Sequence, residues 1–198
     1  RIDKILSQLK PEDFVIIEFG HNDEKIKGEG NGAWGLYTDL LTDFIQRIRE
    51  KKGVPILITP TQRRAFEGAK LKETHGDFPD AMRKVAKEED VLLVDLTKMT
   101  TQMYKAWGPE ESRKAFVQYP ANTFPGQSSK LEDNTHFSNF GANEIALAVA
   151  NAIRNSDSEL KKYIATETPN NDPSQPNPAD SYTIPFSSRF QIEKPDGN

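Results

Sequence analysis

The segment FVIIEFGHND, residues 14–23, constrains the fold of this chain more than any other. Its first half is a nearly unbroken apolar run that follows the polar residues 11–13. Such a run is typical of a strand buried on both faces of a parallel sheet, because a half-exposed strand alternates apolar and polar residues. Its second half becomes polar through Gly20. Since ligands of open α/β sheets bind beyond the carboxyl ends of the strands, we expect Asn22 to face a cleft.

The rest of the chain alternates predicted helices and strands. Apolar residues spaced three and four apart predict helices, and short β-branched runs predict strands. The predicted strands are residues 15–19, 54–59 and 91–94. The predicted helices are residues 1–10, 36–51, 97–119 (with a break at 108–109) and 139–154, and a further helix has its apolar stripe at residues 78–86. This order predicts a parallel sheet with right-handed crossovers and helices on both faces. The first strand is too apolar for an exposed edge, so we expect further strands beside it, supplied by a missing N-terminal segment or by another chain.

Composition excludes several classes of protein and site. The 198 residues suffice for one domain with a hydrophobic core. The net charge of −4, with both signs interspersed, lacks the basic patch of a nucleic-acid-binding protein, and no apolar run is long enough to cross a membrane. There is no cysteine, which excludes disulfides and Cys-based zinc sites. The three histidines show no metal-ligand spacing, so we expect neither a metal nor another cofactor.

The character of the chain changes after about residue 155. The segment 166–180 is rich in Pro, Asn, Asp and Ser, a composition typical of a linker. Beyond it, apolar and polar residues alternate from Tyr182 to Ile192, which predicts an extended strap or the start of a further domain. We therefore divide the chain into a domain at residues 1–164 and a linker with an extended tail at residues 165–198.

Asp133 and His136 are candidates for acid–base chemistry, in a polar loop expected just before the last helix. An aspartate that accepts from Nδ1 of a histidine fixes its tautomer and leaves Nε2 free to take a proton from a hydroxyl nucleophile. A turn-capping aspartate beside a surface histidine is the alternative. Asn22 is a candidate oxyanion-hole donor through its side-chain amide, and an Asx-type turn is the alternative for it.

Considered together, these segments resemble a known superfamily. The GHND sequence after a buried strand and the D-x-x-H pattern before the last helix resemble the G-x-N-D and D-x-x-H blocks of the SGNH (GDSL-type) hydrolases. Four segments resemble the rhamnogalacturonan acetylesterase branch: FVIIEFGHND at 14–23, ITPTQRR at 58–64, THGDFPDAM at 74–82 and DNTHFS at 133–138. The resemblance extends from about residue 1 to Ile164.

The resemblance implies a flavodoxin-like three-layer α/β/α sandwich and serine-dependent removal of O-acetyl groups from pectic polysaccharide. It implies that His136 is the general base, Asp133 its orienting partner and Asn22 the side-chain donor of the oxyanion hole. The superfamily's G-D-S block, which contains the nucleophilic serine, and its second block are absent from these 198 residues, and Gly126 to Ser129 is neither G-D-S nor G-x-S-x-G. We therefore expect a chain without its N-terminal strands and nucleophile, inactive in isolation.

Three more residues are expected at the carboxyl edge of the sheet: Arg63, Arg64 and His75. Since a guanidinium pairs bidentately with a carboxylate, we expect the arginines to bind galacturonate and His75 to line the same site; a solvated loop is the alternative. Two other functions remain open: a non-catalytic carbohydrate-binding or interaction module, and an SGNH lipase or arylesterase, against which the polar loops argue. The resemblance to polysaccharide-degrading enzymes implies a secreted or periplasmic protein acting on acetylated polysaccharide.

Overall fold

The computed structural model describes residues 2–26, 28–179 and 181. The helices are α1 Ile2–Gln8, α2 Thr38–Glu50, α3 Phe78–Glu88, α4 Leu96–Glu111 and α5 Asn139–Arg154, with a π turn at Ala33–Tyr37 and 3₁₀ turns at Asp23–Lys25, Ser112–Ala115 and Glu159–Tyr163. The strands are β1 Phe14–Ile17, β2 Val54–Ile58, β3 Phe66–Glu67, β4 Lys70–Leu71, β5 Leu92–Val94, β6 Phe116–Tyr119 and β7 Leu131–Phe137. The three predicted sheet strands and the helices at 36–51 and 139–154 match these bounds to within two residues. The alternation predicted from residue 182 onward lies outside the described residues.

The central sheet is parallel, with strand order β1-β2-β5, as the sequence predicts. In its register Ile17 lies beside Leu57, and Leu57 beside Leu93. Because side chains of a strand alternate between faces, these three point to the same side, and Ile58 and Val94 point to the other.

Helices cover both sides of this sheet. One face packs against α1, α2 and α3 through a core of buried apolar residues: Leu6, Ile17, Tyr37, Leu41, Ile45, Ile48, Leu57, Met82 and Val85. The other face packs against α5 and the start of α4 through Ile58, Val94, Leu96 and Ile153. This arrangement confirms the predicted three-layer α/β/α architecture. No helix among the described residues has both the length and the apolar character needed to span a bilayer.

The outer strand β1 is less buried than its sequence predicts. Among the described residues it pairs with β2 alone. Ile16 is 49% exposed and Phe19, just beyond the strand, is 48% exposed. The prediction of burial on both faces is therefore wrong for the described part of the chain, because nothing there covers the outer side of this strand. An uncovered apolar edge is a site where another strand can pair.

The predicted helix at 97–119 is wrong in its last part. Gly108 adopts φ 73° and breaks the helical path, as expected from the Gly-Pro pair, but residues 116–119 form β6. This strand pairs with β7 in an antiparallel arrangement. The polar loop predicted around Asp133 and His136 is therefore wrong too, since both residues belong to β7. The β-rich run FVQY before Pro120 was the feature in the sequence that favours a strand.

The described part of the segment predicted as a linker lies along α5. Arg154 donates to the carbonyl oxygen of Thr168 at 2.7 Å. Asn177 donates through Nδ2 to the carboxylate of Glu144 at 2.9 Å, and the Glu144 side chain is fully buried. Residues 168–177 are thus attached to the same helix at both ends.

Candidate active site

A cleft of about 730 Å³ lies at the carboxyl ends of β1 and β2, next to β7. Three separate segments line it: the loop after β1, the loop after β2 and the end of β7. Its lining residues are Glu18, His21, Asn22, Lys25, Thr61, Asp133, Thr135, His136 and Phe137. The structure therefore brings together the three residues predicted to be catalytic, at the edge of the sheet where the sequence places a ligand.

The hydrogen bond between His136 and Asp133 is the central feature of this cleft. The Nδ1 atom of His136 lies 2.6 Å from Oδ2 of Asp133. The other carboxylate oxygen, Oδ1, accepts the backbone N–H groups of Thr135 at 2.6 Å and of His136 at 2.9 Å. The carboxylate is fixed on both oxygens, and the side chain of His136 is 77% exposed.

A bulge in β7 makes this contact possible. Phe116 pairs with Phe137, whereas Gln118 pairs with Glu132. Four residues of β7, 133–136, therefore lie opposite a single residue of β6. In a regular strand, residues three apart point to opposite faces, but an irregular segment of this kind redirects its side chains. We call residues 133–136 the base turn.

The charge of Asp133 follows from the same contacts. Burial raises the pKa of this carboxyl, but the hydrogen bonds from the ring and backbone of His136 and from the backbone of Thr135 outweigh that effect, and the pKa lies below its usual value. Asp133 is therefore ionised at neutral pH and accepts a hydrogen bond from the Nδ1–H group of His136. In the neutral imidazole this contact selects the tautomer with the proton on Nδ1, which leaves Nε2 as the unprotonated nitrogen that a general base needs.

Asn22 lies in the loop after β1, residues 20–25, which we call the oxyanion loop. Gly20 begins the loop with φ 102°, and a Cβ there would lie 2.9 Å from the hydroxyl of Tyr37. Asp23 closes the loop locally, since its carboxylate accepts the backbone N–H of Gly20 at 2.8 Å. The Asn22 amide oxygen accepts from Nζ of Lys25 at 2.6 Å, which leaves its NH₂ group to donate within the cleft.

The three residues predicted to bind substrate do not line this cleft. Arg63 donates to the carbonyl oxygens of Thr74 and His21 and to the carboxylate of Glu24. Arg64 is 8% exposed, with all three of its guanidinium nitrogens engaged by protein acceptors. Substrate binding by these arginines stays a prediction, and in this structure both groups hold other parts of the protein.

His75 is almost completely buried, with 2% exposure. Its Nε2 lies 2.8 Å from the carbonyl oxygen of Thr61, and its ring centroid lies 4.8 Å from that of His21. Burial, followed by the nearby His75 and Arg63, lowers the pKa of His21 to about 4, and burial also lowers the pKa of His75. Both imidazoles are therefore neutral at neutral pH; His21 lines the cleft, and His75 packs against His21 from behind.

Sequence reasoning missed Glu18, Lys25 and Thr61 as residues that line the cleft. Glu18 is the one charged residue within the apolar run 14–19, and Thr61 follows β2 as Asn22 follows β1. These positions beyond strand ends were the available indication. Among the described residues, no serine lines the cleft, and no group of three His, Asp or Glu side chains is placed to hold a metal.

Comparison with known proteins identifies the family. Residues 1–143 match the GDSL-like lipase/acylhydrolase family. The chain belongs to that family. Two relatives come from Bacillus subtilis (strain 168). The rhamnogalacturonan acetylesterase RhgT is 39% identical over 84% of this chain and 71% of its own length. The probable rhamnogalacturonan acetylesterase YesY is 32% identical over 84% of this chain and 74% of its own length.

A solved structure shows the same fold. The crystal structure of the Bacillus subtilis protein YxiM superimposes with a TM-score of 0.57 and 23% sequence identity, over 82% of this chain. The chain spans 40% of the length of that solved chain. Together with the family match, this likeness confirms the fold predicted from the sequence blocks.

Proposed function

We propose that this protein is a carbohydrate esterase that removes O-acetyl groups from a rhamnogalacturonan-type pectic polysaccharide. The observation that carries the proposal is the hydrogen bond from Nδ1 of His136 to Asp133 in a cleft that also contains Asn22. The two relatives named as rhamnogalacturonan acetylesterases support the substrate. Because a polymeric substrate does not cross a membrane, the proposed site of action is outside the cytoplasm.

In the proposed reaction a serine hydroxyl attacks the acetyl carbonyl carbon, and Nε2 of His136 accepts its proton. The tetrahedral intermediate places its negative oxygen against the NH₂ group of Asn22, which is a donor of the oxyanion hole. The intermediate collapses, and the sugar hydroxyl leaves with the proton from His136. Water, deprotonated by the same imidazole, then hydrolyses the acetyl-serine ester and releases acetate.

The nucleophilic serine is the part of this mechanism that the described residues do not provide. None of their serines lines the cleft. We propose that a further strand, from this protein or from another chain, pairs with the uncovered edge of β1 and brings the serine to Nε2 of His136. The exposed Ile16 and Phe19 support this position, since a neighbouring strand would cover them.

The lining of the cleft favours a sugar over a lipid. Apart from Phe137, the side chains that line it are polar or charged. A lipase or arylesterase site would instead present apolar surface to an acyl chain or an aromatic ring. Among the described residues, Lys25 is the one lysine or arginine that lines the cleft. It is therefore better placed than Arg63 or Arg64 to bind a galacturonate carboxylate.

The test is acetate release from acetylated rhamnogalacturonan, with acetylated xylan and p-nitrophenyl butyrate as competing substrates. The protein that includes the serine-bearing segment is compared with its His136→Gln variant and with these 198 residues alone, which we expect to stay unlabelled; all are treated with a fluorophosphonate followed by peptide mapping. We expect release from rhamnogalacturonan, loss of release in the variant, and labelling of one serine that depends on His136. Faster turnover of the butyrate ester would favour a lipase, and a folded, unlabelled, inactive protein that still binds the polysaccharide would favour a binding module.

A further inference from the structure

We propose that Arg63 and Arg64 are positioning residues that hold the two halves of the active site in register, one arginine for each half. This inference rests on the proposed function, since it assigns the base turn and the oxyanion loop to one reaction. The two arginines are consecutive in the loop after β2. Their guanidinium groups reach different segments that are far apart in the sequence.

Arg64 holds the base turn. Its Nη1 donates to Oδ1 of Asn134 at 2.8 Å, and its backbone N–H donates to the carbonyl oxygen of the same residue at 3.0 Å. The other guanidinium nitrogens donate to Ser112 Oγ at 3.0 Å and to the carbonyl oxygen of Pro109. Gln118 completes the contact by donating to Asn134 Oδ1 at 2.8 Å. Asn134 lies between the aspartate and the histidine of the base turn, so its position sets theirs.

Arg63 holds the oxyanion loop. It donates to the carbonyl oxygen of His21, the residue before Asn22, and to Glu24 Oε1 at 2.7 Å. Burial raises the pKa of Glu24, but the Arg63 hydrogen bond and charge bring it below its usual value, so this pair is ionic at neutral pH. Arg63 is anchored in turn by the carbonyl oxygen of Thr74 at 3.1 Å. The contacts lie on both sides of Asn22 in the sequence.

The loop that supplies both arginines is itself fixed to the sheet edge. The backbone N–H of Thr61 donates to Glu18 Oε1 at 3.3 Å, and that of Gln62 donates to Oγ1 of the buried Thr100 at 2.9 Å. A nucleophile, base and oxyanion donor must be placed within a fraction of an ångström for efficient reaction. Because the oxyanion loop and the base turn are separated by more than a hundred residues, an element that binds both is needed to set their distance.

A positioning role and a substrate-binding role of the arginines predict different kinetic effects of their replacement. A guanidinium that binds galacturonate affects KM for acidic substrates alone. A guanidinium that positions catalytic groups affects kcat for acidic and neutral acetylated substrates alike. Lysine keeps the charge but not the planar fork of donors, so Arg64→Lys does not restore a positioning role.

The experiment uses matched variants of the whole protein and nuclear magnetic resonance of its side chains. Arg64→Met and the smaller change Asn134→Ala test the base turn, and Arg63→Met and Glu24→Gln test the oxyanion loop. Arg83→Met is the control, since Arg83 is an ion-paired arginine that contacts Asp80 and Asp95 instead. The readouts are the His136 Nδ1 proton, which resonates at low field when bonded to a carboxylate, and the Asn22 side-chain amide.

We expect each pair of variants to change one of the two resonances and to leave the other unchanged. The two base-turn variants shift the His136 Nδ1 proton upfield or abolish it and leave the Asn22 amide unchanged, whereas the two oxyanion-loop variants do the reverse. The control changes neither. Each of the four variants lowers kcat about 10- to 100-fold on an acidic and on a neutral acetylated oligosaccharide, with KM unchanged.

Two results would overturn the inference. One is an unshifted His136 Nδ1 proton in both Arg64→Met and Asn134→Ala, and the other is a rise in KM restricted to the acidic substrate with kcat unchanged. If Arg64→Met fails to fold, Asn134→Ala decides alone. If the wild-type protein, assayed with the segment or chain that supplies the serine, releases no acetate, the proposed function is wrong, and the two resonance readouts still decide whether the arginines hold the two segments.

Discussion

Replacement of Asp133 by asparagine isolates the orienting role of this carboxylate. In the variant, the amide oxygen can still accept the backbone N–H groups of Thr135 and His136, which bond to Oδ1 in the wild type. The amide NH₂ group then faces Nδ1 of His136, where Oδ2 lies at 2.6 Å in the wild type. Since NH₂ is a donor, it selects the tautomer with the proton on Nε2, and this tautomer cannot act as the base.

The magnitude follows from the exposure of the pair. In a buried Ser-His-Asp triad the equivalent substitution lowers kcat about 10⁴-fold. Here the side chains of His136 and Asp133 are 77% and 35% exposed, so water competes with the amide for Nδ1. We therefore expect a smaller loss of kcat, about 10²- to 10³-fold, which corresponds to about 3 to 4 kcal/mol. The free energy of unfolding should change by less than about 1 kcal/mol, because the backbone bonds persist.

The assay is the steady-state rate of acetate release, with urea unfolding as the control for stability. Asp133→Ala is the comparison variant: it removes the backbone acceptor as well, so it should cost about 1 to 2 kcal/mol of stability, as loss of a capping side chain does. Its imidazole is free to adopt either tautomer, so it should be more active than Asp133→Asn. An Asp133→Asn variant within threefold of the wild-type rate would refute the orienting role.

Three other predictions concern separate parts of the molecule. Asn22→Ala removes an oxyanion donor from an exposed side chain, so kcat should fall about 10²- to 10³-fold with KM and the urea midpoint unchanged; an unchanged kcat would exclude the role. Because the pKa of His21 is lowered to about 4, the folded protein binds fewer protons than the unfolded chain between pH 6.5 and 4, and its unfolding free energy should decline as pH falls through that window. Urea titrations at pH 7, 5 and 4 should show a shallower decline in His21→Gln, and equal declines would contradict the assignment. Glu144→Ala leaves two donor groups of Asn177 without their buried acceptor, so the free energy of unfolding should fall by about 1 to 3 kcal/mol. Proteolysis within residues 165–181 should become faster. An unchanged digestion pattern would show that this contact does not hold the segment.

The central sheet and its covering helices could be predicted from the sequence because their patterns are local. The apolar run at 14–19 and the i, i+3, i+4 spacing at 36–51 each appear within one element. The pairing of Asp133 with His136 was also predictable, although the surrounding structure was not. Their contact depends on a bulge set by the pairing of β6 with β7, and that pairing is a long-range property.

The contacts of Arg63 and Arg64 are beyond what the sequence can reveal. Their partners Glu24 and Asn134 lie 39 and 70 residues away. The sequence shows only that two cations follow β2, and a cation near a predicted sugar site favours a contact with an acidic ligand. The same long-range dependence explains the position of His75. The sequence places this residue in the site, whereas in the structure it packs against His21 behind the cleft.

The exposure of His136 has a consequence for the order in which a polymer would be deacetylated. The described residues leave the cleft open beside this imidazole, so an acetyl group can approach from the side of a long chain and no free chain end has to enter a tunnel. Acetyl groups in the middle of the polymer would then be as accessible as those at its ends. Deacetylation would proceed at scattered positions, and partly deacetylated chains of full length would accumulate before any chain was completely stripped.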